Sequence, residues 1–328
     1  MPRRVSIKDI AERAGVSTGT VSNVLNHPEA VADATRQAIL AIMADLNFVA
    51  NASARQLRVG ASQTVGVVVM DISNPFYTEL ARGIEDRLAQ DGLLMMLCSS
   101  DENEKREASF LRQFSEQGVL GVLVTPFGEE AAPEKYADLG HPTVLLDADS
   151  PTLPSVSVDH VDGARQAVKH LLDQGHARIS FVNGPLELRP CRERAEGVRL
   201  AIADHGLDPD TVLTTVNVGA LTAEFGKGAA SQLLADDACT AIFCANDLLA
   251  MGVSRELRLR GLAAPGDVAV VGYDDIAFLS ELMLPLTSVR QPMHDLGWTA
   301  VDMLLRPQDH PKHVSFAPTL VVRESSVR

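Results

Sequence analysis

Seven short, nearly unbroken aliphatic runs lie between residues 64 and 273, separated by helical stretches, and they constrain most of this chain. They read TVGVVVM (64–70), LLMMLC (93–98), VLGVLV (119–124), TVLLD (143–147), ISFV (179–182), AIFC (241–244) and VAVVGY (268–273). A strand with one face in water alternates apolar and polar residues; these runs do not, so both faces must be covered. Strands of that kind alternating with helices imply parallel sheets in an α/β architecture. The chain has 328 residues, too many for one ordinary core.

Ligands of parallel sheets bind beyond the carboxyl ends of the strands. The residues just past the runs are therefore candidates: Asp71, Ser73 and Asn74; Asp147 and Asp149; Asn246 and Asp247; Asp274 and Asp275. Arg189, Arg192 and Arg194 follow the fifth run, beyond Gly184-Pro185. Carboxylates, amides and guanidinium groups together suit a polyhydroxylated ligand, because each makes fixed, often paired hydrogen bonds. Asp and Asn at strand ends also cap helices, and for any single residue both readings stay open.

The first sixty residues follow a different rhythm. Ser6 can cap a helix with apolar positions Ile7, Ile10, Ala11 and Ala14, and Gly15 supplies a turn that calls for positive φ. Ser17 can cap a second helix carrying Val21, Val24 and Leu25. A third, over about 33–46, offers Ile39, Ile42, Met43 and Leu46, with the poor capper Ala32 before it. Two short helices around a Gly turn form a helix-turn-helix, whose second helix enters the major groove, although a purely structural three-helix module has the same pattern. The whole chain carries a net charge of −14, but residues 1–60 hold seven bases against five acids. A weakly basic end on an acidic body suits a protein that meets phosphate with that end.

The run IKDIAERAGVSTGTVSNVLN, followed by LNFVANASARQLR, resembles the headpiece of the LacI/GalR (lactose-repressor) family. By that resemblance Thr18, Gly19 and Asn23 fall on base-reading positions, while Ser17, Thr20, Ser22 and Asn26 hold phosphates or cap the helix. Asn can pair bidentately with adenine, and Thr can touch a thymine methyl. Gly19 offers no side chain where other members carry a polar reader, and Asn23 stands where Arg or His is frequent, so no operator sequence follows. Residues 51–58 match a hinge helix that orders on DNA, with Leu57 as its minor-groove wedge and Arg55 and Arg58 adding sequence-independent affinity. Leu57 packing on the third helix is the alternative.

The resemblance continues to LVVRESS at 320–326 and implies an all-α headpiece over 1–60 joined to an α/β, periplasmic-binding-protein-like sensor of two lobes. The chain would cross between lobes three times, with 61–160 and 290–320 in one and 161–289 and 321–328 in the other. Family ligand contacts fall on Asp147, Arg194 (in RAEG), Asn246 (in CANDLLAMG) and Asp274 (in GYDD). The segment SNPFYTEL adds Asn74, Phe76 and Tyr77, while Leu221 and Met293 occupy places where some sugar-binding members stack an aromatic. Trp298 is expected to pack rather than stack, and aromatics make up only 4% of the chain, a thin platform for a sugar face. The implied protein is a repressor: a homodimer on near-palindromic double-stranded operator DNA whose effector, a sugar or sugar derivative, closes the cleft and alters DNA affinity.

Other chemistries fit less well. Gly15-Val16-Ser17-Thr18-Gly19 spells a hydrolase elbow, but that motif needs a strand before the serine. Asp274-Asp275 invites a glycosidase reading, which needs two carboxyls facing across a bond. Phosphate-loop, dinucleotide and zinc-protease motifs are absent, so no enzyme, cofactor or metal is expected. A sugar-binding transport module would share the sensor but need a signal peptide and no headpiece. Cys98, Cys191, Cys239 and Cys244 form no C-x-x-C pair and read as reduced thiols. No apolar stretch reaches the ~18 residues of a membrane span, and a cytoplasmic location with no membrane partner is expected.

Overall fold

A computed structural model of the chain describes residues 5–48, 62–128, 135–136, 139–235, 239–309 and 312–327. It divides into two compact units, Met1–Ser62 and Gln63–Arg328.

The first unit is a three-helix module. Helix α1 (Ile7–Ala14) opens with a capping box: the Asp9 N–H donates to Ser6 Oγ and the Ser6 N–H to Asp9 Oδ2 at 2.8 Å. It ends at Gly15, whose φ of 64° is the left-handed turn anticipated from the sequence. Helix α2 (Thr18–Asn26) is capped by Ser17, whose Oγ accepts from the Thr20 N–H at 3.1 Å. Helix α3 (Asp33–Asp45) follows Ala32, which makes no side-chain cap. Ile10, Ala11, Val21, Val24, Ile39 and Met43 form the buried core, flanked by Val16, Leu25, Ile42 and Leu46. Arg13 and Asp45, 2.8 Å apart, tie α1 to the end of α3.

The second unit begins with β1 (Thr64–Val69), α4 (Pro75–Gln90), β2 (Leu94–Ser99), α5 (Glu104–Gln117), β3 (Gly121–Val124), β4 (Thr143–Leu146) and β5 (Ser155–Val158). It continues through α6 (His160–Asp173), β6 (Ile179–Asn183), α7 (Arg189–Asp204), the single turn α8 (Pro209–Val212) and β7 (Leu213–Asn217). Then come α9 (Ala223–Leu233), β8 (Ala241–Cys244), α10 (Asp247–Leu259), β9 (Ala269–Asp274), β10 (Thr287–Arg290), α11 (Met293–Leu305), β11 (His313–Phe316) and β12 (Thr319–Val321). Two six-stranded sheets result, ordered β11-β5-β4-β3-β1-β2 and β12-β10-β9-β8-β6-β7. All pairings are parallel except β10 with β12.

The chain passes from the first sheet to the second after β5, returns after β10, and crosses again between β11 and β12. Each sheet has its own apolar core, and most of the aliphatic runs supply buried strands such as TVGVVV and AIFC; β2 is the exception, an edge strand that leaves Leu94 and Met96 exposed on one face. Helices pack closely where glycine removes the Cβ. A Cβ on Gly83 of α4 would lie 2.0 Å from the His294 carbonyl, and one on Gly297 of α11 would lie 2.2 Å from that of Leu80. Gly226 and Gly252 do the same for α9 and α10, at 2.2 Å from the Leu249 carbonyl and 1.9 Å from that of Ala223.

Candidate effector cleft and DNA-facing helix

The residues expected to read DNA lie along one side of α2. Ser17, Thr18, Gly19, Asn23 and Asn26 are exposed, and Thr20 and Ser22 half-buried, while Val21 and Val24 point into the core. Positions 18, 19, 22, 23 and 26 recur at helical spacing, which is why one face stays free. Asn26 Nδ2 donates to the Ser22 carbonyl at 2.7 Å, so that amide is folded onto its own helix. Ser17 sits between two helices, not after a strand as a hydrolase nucleophile would. Arg55, Leu57 and Arg58 lie outside the described residues.

In the second unit, the carboxyl ends of the strands of both sheets converge on a cavity of about 250 Å³. Asn74, Phe76, Tyr77 and Asp147 come to it from the first lobe, and Arg194, Leu221, Asn246 and Asp274 from the second. Met293 does not reach it. That residue is the first of α11, whose buried stripe runs Met293, Leu296, Gly297, Ala300, Val301 and Leu304, so its side chain packs into the first-lobe core. Trp298, on the same helix, is half-buried with His294 stacked at 6.0 Å between ring centroids.

Asn74 caps α4, accepting from the Phe76 N–H at 3.0 Å, and Asn246 caps α10, accepting from the Leu249 N–H at 2.9 Å. Asn246 Nδ2 also donates to the Leu221 carbonyl at 3.1 Å, which pins that leucine at the cleft. These amides therefore cap helices and line the cavity at once. Phe76 and Tyr77 meet edge to face at 4.9 Å and form its main aromatic wall.

Arg194 is 4% exposed and has three fixed neighbours. Nη1 donates to the Ala245 carbonyl at 2.6 Å, Nη2 lies 3.3 Å from His160 Nδ1, and the guanidinium stands 3.9 Å over the Tyr273 ring. Its Nε is buried with no hydrogen-bond partner among the described residues. Asp147, in the left-handed region at φ 48°, contacts His160 Nε2 at 2.9 Å. Burial alone would raise its carboxyl, but His160, Arg189 and Arg194 hold it below the ordinary carboxylate range. Burial raises Asp274 well above that range, with Arg194 and the Gln291 hydrogen bond opposing. Burial also raises the Cys191 thiol to about 11, so it lines the cavity as a protonated group.

Sequence reasoning missed several residues of this wall. Asp101 and Glu102 reach it from the loop after β2, both with positive φ, at 51° and 53°. Arg106 pairs with Asp101, whereas Glu102 forms no salt bridge among the described residues and is raised by burial and by the Asp71 charge. Gln291 enters where the chain leaves β10. The run before Asp101 ends in Ser99-Ser100, and that polar pair was the one available signal. The cavity thus presents five carboxylates, Asp71, Asp101, Glu102, Asp147 and Asp274, to one guanidinium.

Of the other candidates, Arg189 and Arg192 line a second cavity of about 350 Å³ with Asp149, on the far side of Asp147 and Leu188. Asp247 accepts from Ser288 Oγ at 2.6 Å and the Ile276 N–H at 3.0 Å, a structural role. Asp275 pairs with Arg290 and Arg323, each at 2.7 Å, so Asp274 and Asp275 serve different neighbours. All four cysteines are free thiols. Among the described residues no group of acidic, histidine and cysteine side chains is arranged to hold a metal, and no helix is long and apolar enough to cross a membrane.

Comparison with known proteins agrees with this geometry. Residues 6–51 match the bacterial regulatory proteins of the lacI family, and residues 168–326 match the periplasmic binding protein-like domain. The HTH-type transcriptional repressor PurR of Photobacterium profundum is 34% identical over 329 residues, covering 98% of each chain. A lac repressor dimer bound to operator and the anti-inducer ONPF superposes with a TM-score of 0.88 at 29% identity, covering 99% of this chain and 100% of that one. A LacI family transcriptional regulator from Enterococcus faecium with bound ribose gives 0.73 at 29% identity, covering 80% and 98%.

Proposed function

The chain belongs to the lacI family of bacterial regulatory proteins, and from that premise we propose that it is a cytoplasmic, homodimeric repressor of a near-palindromic operator. Its effector is a sugar or an uncharged sugar derivative held in the cleft between the lobes. The observation that carries this reading is the cavity itself: Asp147 from one lobe faces Arg194 and Asp274 from the other, so one polyhydroxylated molecule can bind both. A ligand that touches both lobes stabilises one angle between them, and the free energy it contributes to that state is what can reach the DNA-binding end. The ribose held by the Enterococcus faecium regulator supports the sugar class.

On α2, Thr18 and Asn23 are the base readers, and Ser17, Thr20, Ser22 and Asn26 hold phosphates or the helix start. In the hinge, Leu57 is the minor-groove wedge and Arg55 and Arg58 add charge. Asn74, Phe76, Tyr77, Asn246 and Leu221 complete the effector contacts.

The test uses the full chain and duplexes selected from random DNA at fixed salt. Fluorescence anisotropy should yield an enriched, near-palindromic site bound at least about a thousandfold more tightly than random sequence. Neutral pentoses and hexoses, D-ribose first, are then screened for stabilisation of the protein and for a change in operator affinity. A sugar at one hundred times its dissociation constant should stabilise the fold by about 2.7 kcal/mol. Failure to enrich any site would sink the repressor reading. An enriched site whose affinity no neutral sugar changes would sink the effector class alone.

A further inference from the structure

His160 lines neither the cleft nor the second cavity beside it, yet it touches one charged cleft residue from each lobe. It is the first residue of α6, immediately past the point where the chain leaves β5 for the second lobe. Its side chain is completely buried. On one side Nε2 lies 2.9 Å from Asp147 Oδ1, at the end of β4 in the first lobe. On the other, Nδ1 lies 3.2 Å from Tyr273 Oη and 3.3 Å from Arg194 Nη2, both in the second lobe. A glycine one turn along α6 permits this approach, since a Cβ on Gly163 would stand 2.3 Å from Tyr273 Oη.

The partners dictate the proton. A guanidinium only donates, so Nδ1 must offer its lone pair to Arg194, with Tyr273 Oη as a second donor. An ionised carboxylate only accepts, so Nε2 must carry the hydrogen toward Asp147. A second proton on Nδ1 would point at a buried cation. The groups facing the ring are Asp147, Tyr273 and Arg194, with Arg189 at longer range. Burial lowers the affinity of His160 for a proton and the two arginines lower it further, against the pull of Asp147.

We propose that His160, held neutral as the Nε2–H tautomer, is the positioning residue that ties Asp147 of one lobe to Arg194 of the other and sets their separation across the cleft. The proposal rests on the reading of that cleft as the effector site for its consequence, but its geometry can be measured without any effector.

Nitrogen-15 spectra of histidine-labelled full-length protein, with the His160 signal identified by its loss in His160→Gln, should show an Nε2–H tautomer that takes its second proton only below the ordinary histidine range. Titration near the ordinary value of about 6.5, or a proton on Nδ1, would overturn the assignment. Spin labels at the exposed positions Glu116 and Gln232, one in each lobe, report the separation of the lobes. His160→Phe should broaden that distance distribution, and His160→Gln, which keeps a donor and an acceptor, should broaden it less. In an Asp147→Asn background, His160→Phe should add little. An unchanged distribution in the Phe variant, or independent effects of the two substitutions, would show that the ring merely fills space. Neither readout uses a sugar, so loss of the sugar hypothesis would leave this one standing or falling on its own.

Discussion

Gln291 Nε2 donates to Asp274 Oδ1 at 2.6 Å, joining the last residue of β9 to the first residue past β10. The bond fixes a buried carboxylate in the cleft wall at the place where the chain returns to the first lobe. Free protein bears the cost of that burial, and on the proposed reading the hydroxyl groups of a sugar would relieve it.

The cost has a definite pH dependence. Asp274 binds its proton more tightly when folded than the ~3.9 of an unfolded aspartate, so its favourable contribution is complete at low pH and is lost as pH rises through the folded value. Asp274→Asn should therefore melt higher than wild type at pH 8, by about 1.4 kcal/mol for each tenfold displacement in acidity, and the gain should fade toward pH 4. Calorimetry at the two pH values checks this. A gain independent of pH would show that the carboxylate is not strained by burial.

Arg194→Ala removes a buried cation that two carboxylates, one carbonyl and an aromatic face all use. It should cost about 3–5 kcal/mol of stability as well as abolishing the response to sugar. Arg194→Lys should recover part of the stability and little of the response, because a point charge cannot replace the planar fork. Thermal melts and operator affinity with and without sugar separate these outcomes. Full sugar response in a folded Lys variant would overturn the proposed role of Arg194 in binding the effector.

Even with Asp101 paired to Arg106 and Asp274 held toward its protonated form, Asp71, Glu102 and Asp147 outnumber the one guanidinium in the cleft, which disfavours an anionic ligand. D-Ribose 5-phosphate should bind at least tenfold more weakly than D-ribose, with the gap narrowing as salt is raised. Isothermal titration at two ionic strengths provides the comparison. Preference for the phosphorylated sugar would contradict the charge argument.

Gly19 occupies an exposed helix position with room for a side chain, since an added Cβ would meet only Ser17 Oγ at 3.5 Å. Gly19→Ala should stabilise the headpiece by about 0.5–1 kcal/mol, the ordinary helix penalty of glycine. If Gly19 lies against DNA, as its place on the second helix implies, operator affinity should fall while stability rises. Both changing in the same direction would place Gly19 away from the interface.

Gly163→Ala has no such room. Its Cβ would collide with Tyr273 Oη, and the overpacking should cost about 1–3 kcal/mol. Combining it with Tyr273→Phe should recover only part of that loss, because Pro318 Cγ and Tyr273 Cε2 would still stand 3.0 Å from the new Cβ and the contact of Tyr273 Oη with His160 is lost. Chemical denaturation of the single and double variants measures the recovery.

The parts of the fold that were legible in the sequence are those whose strands are aliphatic throughout. β5 (SVSV), β7 (LTTVN) and β10 (TSVR) were not, because serine and threonine interrupt their apolar character. In β5 those serines are buried all the same: Ser155 and Ser157 turn to His313, at 2.9 and 3.3 Å. Candidate cleft residues that directly follow an aliphatic run, such as Asp147 and Asp274, could be picked out. Gln291 and Glu102 could not, since the chain crossing and a left-handed loop place them, and neither leaves a periodic trace. Met293 falls outside the cleft because helical phase turns it into the core, and a match of position carries no helical phase.

The paired glycines of α4 with α11 and of α9 with α10 have a mechanical consequence. Where backbones touch with no side chain between them, helices cannot slide past one another by changing rotamers, as larger interdigitating residues allow. Close packing of this kind should make each lobe resist internal shear. Bending is left to the three strands of chain that pass between sheets, after Val158, after Arg290 and between Phe316 and Thr319. On the proposed reading, a small molecule in the cleft would act on a joint with three pins, and a substitution that loosens either lobe should blunt the signal without touching either binding surface.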